Sequence, residues 1–458
     1  MKINKEIYKK IETIVGPEFV SDADEDKFCH SYDAAGGKSL PDLVVRPYSA
    51  EEISKIVILA NEYLIPVIPR GAGSGFVGGS TPVSGGIVLV LTRMSKVIYV
   101  DKDNLTAEVE PGVITQKLQK EVEKSGLFYP PDPASLKFST IGGNVAVNSG
   151  GPRAIKYGVT KDYVLGLETV LPTGEIIHTG VKTVKGVVGY DLTRLLIGSE
   201  GTLGVITKIL LKLLPKPKKV KTALAVFPEV DDATRTVTEI IRSKIIPATL
   251  EFMDRTAIQC VEDYLQMGLP KKAGAMLLIE VDGDDDVVEK EIKQINLLCK
   301  KYNTGQILIA ADDKEREKLW AARRAISPAL GRLKPTKINE DIVVPRNKIP
   351  SIIKRIRKIA EDFKLTIINF GHAGDGNIHV NIMTDKQDKD EYERAEKAVK
   401  EIFSAALYLG GTISGEHGVG LAKRQYIRME IEPVVLRKMK EIKKIFDPNN
   451  IMNPGKIF

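Results

Sequence analysis

Three glycine-rich segments in the first half of the chain constrain its fold most strongly. They are PRGAGSGFVGG (69–79), PPDPASLKFSTIGGNVAVNSGGPRAIKYG (130–158) and GYDLTRLLIGSEGTLGVIT (189–207). Glycine tolerates positive φ, and successive inward-pointing backbone amides form a nest for an anion such as a pyrophosphate. The first segment alone also fits an ordinary glycine-rich turn. Three such segments, separated by strand and helix patterns, predict a large ligand wrapped mainly by backbone, and a dinucleotide fits best.

The first segment does not match the two common nucleotide-binding fingerprints. A Rossmann site needs GxGxxG at the start of a helix and an acidic residue about 20 positions further on. Gly71 and Gly73 fit this pattern, but Phe76 occupies the third glycine position, and the next strand, IVLVLTRM, ends without an acid. No GK[ST] sequence follows the glycines. The classical NAD fingerprint and the P-loop are therefore excluded.

Cysteine usage and charge exclude further classes of protein. Cys29, Cys260 and Cys299 are far apart and form no CxxC pair, which argues against a disulfide scaffold, a zinc ribbon or an iron–sulfur cluster. The N-terminus has no apolar signal region, and no apolar run approaches the roughly 20 residues that span a bilayer, so we predict a cytoplasmic protein without an integral membrane segment.

The formal net charge is +7, and the basic stretch 215–221 is interpreted as a solvated linker. The alternative is a docking patch for an acidic protein or an anionic membrane surface, and nothing supports nucleic-acid binding.

The glycine content falls after the basic stretch, and we place a domain boundary there. The second half alternates charged amphipathic helices with short apolar strands, which is α+β patterning. We predict helices over 286–301, 313–330, 348–363 and 388–408 and strands over 276–281, 305–310, 340–345 and 366–370. The tail IFDPNNIMNPGKIF follows a long helix and is rich in turn-forming residues. We expect it to fold back onto a surface.

Three of the five histidines fall in two short motifs. NFGHAGDGNIHVNI contains His372 and His379 on two strand-like arms, and a hairpin would place both on one face of paired strands. ISGEHGVG contains Glu416 and His417. Two imidazoles and Glu416 would form a His₂Glu metal site with an open coordination position, and His417 could then be a general base.

The alternative interpretation is structural, since polar residues near a tight turn often make hydrogen bonds that only support the backbone. We favour the chemical interpretation because the full set stands beside a predicted dinucleotide site. His30 and His178 have no motif around them, and we interpret them as structural.

PRGAGSGFVGG, PPDP, IGGNVAVNSGG and GSEGTLG, in this order, resemble the FAD domain of the vanillyl-alcohol-oxidase or PCMH-type flavoproteins. Over nearly its whole length the chain is similar to the FAD-linked 2-hydroxyacid dehydrogenases. These include D-lactate dehydrogenases, the FAD subunit of glycolate oxidase and D-2-hydroxyglutarate dehydrogenase. The resemblance implies an α+β fold with a PCMH-type FAD-binding domain of two α+β subdomains over 1–217. A ferredoxin-like antiparallel-sheet substrate (cap) domain would cover 218–415, and 416–458 would return to the FAD domain.

The resemblance also implies which residues contact FAD. Around the pyrophosphate these are Pro69, Arg70, Gly71, Ala72, Gly73, Ser74, Gly75, Gly78 and Gly79. Around the ribityl chain and the isoalloxazine they are Pro131, Asp132, Ser135, Gly142, Gly143, Asn148 and Ser149. Near the adenosine half they are Glu200, Gly201, Gly204 and Ile206, and Asn453 is added from the tail. Relatives with covalent flavin often carry a histidine in the first loop, whereas Ser74 stands in that region here, so we predict non-covalent FAD.

In metal-dependent relatives the positions of His372, His379 and Glu416 hold a divalent metal, for which zinc, manganese and iron are the candidates. The position of His417 provides the base, and Asn377 and Asn381 are polar neighbours.

The substrate carboxylate is expected to bind an arginine, because the planar guanidinium matches its geometry. In relatives this is the first arginine after a Trp-x-x sequence, which maps to Arg323 in LWAARRAIS; Arg324 follows where the family often has an acid. Asn339 stands where the 2-hydroxyglutarate enzymes carry a basic residue, with Lys337 two positions earlier. A small monoacid is therefore favoured.

The resemblance implies oxidation of a small D-2-hydroxyacid, D-lactate or glycolate, to the 2-oxoacid by hydride transfer to flavin N5. Electrons would pass to a separate protein, an electron-transferring flavoprotein or an iron–sulfur subunit, and membrane association would be peripheral and through that partner. Alternatives are a D-2-hydroxyglutarate dehydrogenase, a non-catalytic flavin or electron-relay subunit, and a flavin-dependent alkyl transferase acting on a glycerone-phosphate ester.

Overall fold

A computed structural model describes residues 3–458, which divide into two compact units. The first unit contains the chain up to Gly150 together with Val159–Lys216 and Glu416–Phe458. The second contains Gly151–Gly158 and Pro217–Gly415. Both units combine helices with sheets, which confirms the α+β class.

The first unit contains two main sheets and a short two-stranded ribbon. Its strands, numbered along the whole chain, are β1 Val20–Ser21, β2 Leu43–Val45, β3 Val67–Arg70, β4 Ile87–Val90, β5 Val97–Asp101, β6 Thr106–Val109, β7 Leu127–Phe128, β8 Val164–Val170, β9 Ile176–Gly180, β10 Val205–Lys212 and β11 Leu214–Pro215. One sheet has the order β1–β2–β4–β3, in which β2, β3 and β4 run parallel. The other is antiparallel with the order β5–β6–β10–β8–β9. Strands β7 and β11 pair separately.

The helices of the first unit are distributed along its sequence, and the last two are in the C-terminal part of the chain. They are α1 Lys5–Val15, α2 Asp24–Cys29, α3 Ala50–Glu62, α4 Thr115–Glu123, α5 Ile141–Val147, α7 Leu192–Leu196, α15 Ile427–Glu430 and α16 Pro433–Phe446. Helix α3 begins after Ser49, whose hydroxyl accepts a hydrogen bond from the Glu52 amide at 3.2 Å. Its apolar residues recur at helical spacing and are buried with those of β2 and β4 in one core.

The second unit is built around one seven-stranded antiparallel sheet with the order β15–β12–β14–β13–β17–β18–β16. The strands are β12 Lys219–Phe227, β13 Thr249–Asp254, β14 Ala275–Gly283, β15 Gln306–Ile309, β16 Thr336–Val343, β17 Thr366–His372 and β18 Asn377–Thr384. The helices are α6 Ala154–Tyr157, α8 Val230–Arg242, α9 Arg255–Leu265, α10 Asp285–Lys301, α11 Asp313–Arg324, α12 Ile326–Leu330, α13 Ile349–Phe363 and α14 Lys389–Tyr408. Short 3₁₀ helices in the two units are Pro17–Phe19, Leu91–Arg93, Thr160–Asp162, Arg346–Lys348 and Arg424–Tyr426.

Two sequence predictions for the second unit are wrong in detail. The helix predicted over 313–330 is two helices, because Pro328 has no N–H to continue the hydrogen-bond ladder and its ring clashes with the preceding turn. The basic stretch 215–221 is not a solvated linker, since Lys219–Phe227 is a strand. Lys219 and Lys221 each lie within 2.9 Å of the Glu289 carboxylate, so their charges are compensated within the unit.

The predicted hairpin is present as β17 and β18. Phe370 pairs with His379 and His372 with Asn377, which places the two histidines diagonally on one face of the ladder. Gly376, in the connecting turn, has φ +90°, and a Cβ there would lie 2.0 Å from the Val344 carbonyl oxygen, so only glycine fits. In residues 3–458, no helix has the length and apolar character that crossing a bilayer requires.

Candidate functional site

A cavity in the first unit gathers residues from all three glycine-rich segments. Strand β3 ends at Arg70, and the loop that follows forms one wall of the cavity. The predicted flavin-contacting residues that line it are Pro69, Arg70, Gly71, Ala72, Gly73, Ser74, Gly75, Gly79, Ser135, Gly142, Gly143, Ser149, Glu200, Gly201, Gly204 and Ile206. The fold therefore brings three sequence segments that are far apart in the chain to one site.

Five predicted flavin residues lie outside the cavity lining: Gly78, Pro131, Asp132, Asn148 and Asn453. Two of them have clear structural roles. Asn148 ends helix α5 in the left-handed conformation, and its Oδ1 accepts a hydrogen bond from the Lys161 amide at 2.9 Å. Asn453 bridges two loops, with Nδ2 donating to the carbonyl oxygens of Gly79 at 2.9 Å and Glu200 at 2.8 Å. These side chains support the cavity wall from behind.

The first glycine loop packs too closely for side chains. A Cβ on Gly71 would lie 2.3 Å from Thr140 Oγ1, and one on Gly73 would lie 2.1 Å from Arg70 Nη2. Gly73 also has φ +68°, a conformation that other residues adopt at a cost. A wall of bare backbone lets a pyrophosphate approach closely, so the cavity fits FAD on its own geometry.

Two charged side chains near this loop, Arg70 and Lys456, are buried and donate hydrogen bonds to backbone carbonyl oxygens. The Arg70 guanidinium donates to the carbonyl oxygen of Tyr32 at 2.8 Å and to Ser80 Oγ at 3.2 Å. The Lys456 ammonium donates to the carbonyl oxygen of Thr81 at 2.5 Å, and burial lowers the pKa of Lys456 to about 8. Lys456 was not predicted from the sequence, because a lysine in a C-terminal tail gives no signal that it will be buried.

Glu200 connects this cavity to the loop that carries the predicted metal ligand Glu416 and the predicted base His417. Its buried carboxylate accepts hydrogen bonds from the backbone amides of Val419 at 2.7 Å and Gly420 at 2.8 Å. Burial raises the pKa of Glu200, and these amide hydrogen bonds counteract that effect. Glu416 and His417 of the same loop line the cavity, and the His417 ring lies 5.2 Å from the Phe76 ring, centroid to centroid. The structure thus places a potential base at the predicted flavin site.

The second unit contains a buried cluster around Glu251 of strand β13. One carboxylate oxygen of Glu251 lies 2.5 Å from His372 Nδ1, and the other accepts a hydrogen bond from Arg323 Nε at 2.5 Å. Burial by itself raises the pKa of Glu251, but Arg323 and His372 together lower it to about 2. Arg323 also lies over the Phe370 ring, 4.7 Å from its centroid. Glu251 was not predicted from the sequence, because nothing in its strand reveals that the pairing of β13 with β17 brings it beside the hairpin.

The geometry of the two histidines suits a metal ion. Because an ionised Glu251 can only accept a hydrogen bond, Nδ1 of His372 must carry the proton, and Nε2 of a neutral imidazole then presents a lone pair. This Nε2 lies 3.4 Å from His379 Nε2. Two nitrogens bound to one tetrahedral zinc at about 2.0–2.1 Å would be about 3.3–3.4 Å apart. The pair therefore fits two ligand positions, while Glu416, the third predicted ligand, belongs to the first unit.

The remaining polar candidates have local partners. Asn377 donates to the Ile342 carbonyl oxygen at 3.1 Å, and Asn381 donates to that of His379 at 3.2 Å. Lys337 donates to Ser327 Oγ at 2.8 Å. Of these contacts, that of Asn377 joins the start of β18 to β16, that of Asn381 lies within β18, and that of Lys337 joins β16 to α12.

The two histidines outside the motifs have structural contacts. His30 Nδ1 lies 2.8 Å from the Asp26 carbonyl oxygen. His178 Nε2 lies 2.9 Å from a carboxylate oxygen of Glu168. Neither histidine lines the cavity.

Two protein-family models match the chain. The model described as FAD binding domain covers residues 41–180, and the model described as FAD linked oxidases, C-terminal domain, covers 216–457. Together they span most of both units. The FAD-binding assignment of the first unit thus has support that is independent of the cavity.

Curated relatives match over the full length of the chain. The glycolate oxidase subunit GlcD of Bacillus subtilis is 49% identical over 457 residues, which are 100% of this chain and 97% of that protein. A D-lactate dehydrogenase of Anaerostipes hadrus is 37% identical over 465 residues, which cover 100% of this chain and 98% of that protein. A D-lactate dehydrogenase of Archaeoglobus fulgidus is 38% identical over 421 residues, covering 91% of each.

Solved structures share the fold at lower identity. An alkyldihydroxyacetonephosphate synthase matches with a TM-score of 0.78 and 24% identity, covering 99% of this chain and 86% of that one. p-Cresol methylhydroxylase matches with a TM-score of 0.79 and 17% identity, covering 99% of this chain and 96% of that one. At these identities the matches show the fold alone, and they confirm the predicted PCMH-type architecture.

Proposed function

Since the chain belongs to the family of FAD-linked oxidases and is an FAD-binding oxidoreductase, we propose that it oxidises a small D-2-hydroxyacid, D-lactate or glycolate, to the 2-oxoacid. The observation that carries this proposal is the cavity in which three glycine-rich loops meet Glu416 and His417. Relatives named as glycolate oxidase subunits and D-lactate dehydrogenases support the substrate class. Each turnover removes two electrons and two protons from the hydroxyacid.

We assign residues 1–217 and 416–458 as the FAD-binding domain and residues 218–415 as the substrate domain. These domains correspond to the first and second units except that Gly151–Gly158 and Pro217 belong to the second unit. Bound FAD would supply the hydride acceptor at its N5. The residues proposed to hold it are the sixteen predicted ones that line the cavity. Gly78, Pro131, Asp132, Asn148 and Asn453 are predicted as well but lie outside the lining, and Asn148 and Asn453 support the neighbouring loops. Ser74 lies in the lining where covalent relatives carry histidine, which supports non-covalent binding.

The protein's own residues perform the acid–base and binding steps. His417 is proposed to take the hydroxyl proton, because it lines the cavity and packs against Phe76. Arg323 is proposed to bind the substrate carboxylate, while the Nε of Arg323 donates a hydrogen bond to Glu251. We propose that His372, His379 and Glu416 bind a divalent metal, with zinc, manganese and iron as the candidates, and the 3.4 Å between the two imidazole Nε2 atoms supports the histidine pair as ligands. A metal there would lower the pKa of the substrate hydroxyl.

Replacing His417 tests the proposed base. The His417→Ala protein, purified with FAD and mixed anaerobically with D-lactate, glycolate or D-2-hydroxyglutarate, is expected to lose flavin bleaching near 450 nm by about 10²–10⁴-fold in rate. The FAD content should stay equal to that of the wild type, because His417 is one of many lining residues. The matched control is His178→Ala, since the side chain of His178 is 73% exposed and lies outside the cavity.

Unchanged bleaching in the His417→Ala protein would contradict the assignment of the base. A wild-type flavin that no hydroxyacid bleaches would instead favour the non-catalytic relay subunit. The panel of hydroxyacids also shows whether the substrate is a monoacid or 2-hydroxyglutarate.

The electron acceptor is proposed to be a protein, either an electron-transferring flavoprotein or an iron–sulfur subunit. A cytoplasmic location stays a prediction.

A further inference from the structure

The C-terminal part of the first unit carries an exposed basic surface that the proposed chemistry does not use. We call residues 424–446, which contain α15 and α16, the docking face. It contains seven basic and three acidic residues, and Lys443 pairs with Asp447 just beyond it while Arg437 and Lys438 pair with Glu441. Such an excess of one sign of charge steers oppositely charged partners.

The docking face borders a recess with a cationic rim and an apolar floor, to which Leu421 and Phe458 contribute from outside the segment. The rim is formed by Arg424, Arg428 and Lys440, and the floor includes Leu421, Ile427 and Leu436. Among residues 3–458, no carboxylate forms an ion pair with any of the three rim cations, and Arg424 donates a hydrogen bond to the Gly455 carbonyl oxygen at 3.0 Å. Their charges are therefore available to a partner.

Helix α16 adds exposed apolar side chains to this charge. Only Leu436 of the helix is buried, whereas Val434 is 55% exposed, Met439 37% and Ile445 77%. Exposed apolar side chains, methionine included, beside arginines and surrounded by a polar rim are features of protein-binding surfaces.

The docking face is connected directly to the cofactor cavity. The amide of Leu421, in the floor of the recess, donates to the carbonyl oxygen of Val77 at 2.7 Å, and Val77 lines the cavity. From α16, the Lys443 ammonium donates to the carbonyl oxygen of Thr202 at 2.7 Å, in the third glycine-rich segment. Because electron transfer slows steeply with distance, a protein bound here would be well placed to take electrons from the cavity.

We propose that the docking face binds an acidic electron-accepting protein, whose carboxylates pair with Arg424, Arg428 and Lys440. The proposal rests on the proposed function, in which each hydroxyacid releases two electrons and two protons. The two electrons pass to the acceptor protein, either as one pair or singly to two molecules, and the protons pass to solvent. No other co-reactant is needed.

A lipid surface fits the docking face less well than a protein. A helix that lies in a bilayer needs a continuous apolar side facing outward. Here Glu441, which pairs with Lys438 at 2.7 Å and Arg437 at 3.8 Å, interrupts the exposed side between Val434 and Ile445. A recess with a cationic rim also matches discrete acidic side chains of a partner protein.

The test compares two variants with the same change in charge. Arg428→Glu/Lys440→Glu reverses the rim, and Lys102→Glu/Lys120→Glu reverses two exposed lysines elsewhere in the first unit. Each protein is reduced with dithionite, and its reoxidation is followed by stopped flow. The acceptors are an electron-transferring flavoprotein and an iron–sulfur protein from the same organism, with neutral p-benzoquinone as reference. Flavin bleaching by hydroxyacid is measured separately.

The rim variant is expected to be reoxidised by the acidic protein acceptor at least about tenfold more slowly at low salt, and to lose most of the salt dependence. Reoxidation by p-benzoquinone and bleaching by hydroxyacid should match the wild type, and the control variant should behave as wild type throughout. Because the rim side chains are exposed, both variants should fold.

Three results would overturn the proposal. The first is equal reoxidation of both variants by the protein acceptor. The second is a wild-type protein that reduces neither acidic acceptor. The third is a rim variant that keeps full reoxidation but no longer sediments with phosphatidylglycerol vesicles, which would identify a lipid-binding site. Failure of hydroxyacid bleaching alone would count against the proposed function, since dithionite reduction makes the docking test independent of it.

Discussion

Glu251 illustrates how one buried carboxylate can organise several functional side chains. It lies within 2.5 Å of His372 Nδ1 and of Arg323 Nε, and it is completely buried. The pairing orients the imidazole so that Nε2 faces His379, and it holds the guanidinium in one position. Glu251 is therefore a positioning residue for two proposed site residues.

We predict that Glu251→Gln weakens zinc binding by about 10–100-fold, because the loss of a hydrogen-bonded carboxylate behind a metal-binding histidine removes both its orientation and its added basicity. Competition with a chromophoric chelator measures this affinity. Glu280→Gln is the matched control, since Glu280 is also a buried carboxylate of the same sheet but accepts hydrogen bonds from Thr222 and Trp320. Equal zinc affinity in the two variants would contradict the positioning role.

Among the elements, the C-terminal tail determines the shape of the cofactor cavity although it contributes no lining residue after His417. Asn453 joins the first and third glycine-rich segments through two backbone carbonyls. Lys456 reaches the Thr81 carbonyl oxygen and the side chain of Asn453. The tail therefore holds together loops that lack side chains to hold each other.

We predict that Asn453→Ala lowers the free energy of unfolding by about 1–3 kcal/mol, because two buried carbonyl oxygens lose their donor. Urea unfolding of the FAD-free protein measures the change. Asn449→Ala should have almost no effect, since Asn449 is exposed and contacts only Asn61 within residues 3–458. A variant at 453 as stable as the one at 449 would show that the tail does not support the loops.

At the scale of the whole molecule, the cofactor cavity belongs to one unit alone. Every residue that lines it lies in the first unit, and the second unit contributes the Glu251 cluster. FAD is therefore expected to stabilise the two units unequally, and a single midpoint of thermal unfolding would not describe the protein.

We predict that removing FAD raises amide hydrogen exchange in 69–79, 139–149 and 198–206, since a ligand at 100 times its dissociation constant stabilises the folded state by about 2.7 kcal/mol. Strands β12 and β14 of the second unit are the internal reference. Mass spectrometry of peptides from both units measures this difference. Equal changes in the two units would argue against a cofactor site confined to the first.

The sequence by itself determined much of this protein. Glycine spacing identified the three loops, because only glycine permits that backbone and that close approach. Apolar periodicity placed helices such as α10, α13 and α14 within a residue of their true ends. The histidine motif predicted the hairpin, since a tight turn between two strand-like arms has few other solutions.

Tertiary structure decided what these local signals could not. The roles of Glu251, Lys456 and Asn453 depended on contacts between residues far apart in the chain. The local sequence pattern determines which face of a helix or strand is apolar. Strand register and packing between distant segments decide which polar groups meet inside the protein. Because burying an unpaired charge is costly, a buried charged group such as Glu251 is stable only where the tertiary structure supplies a partner.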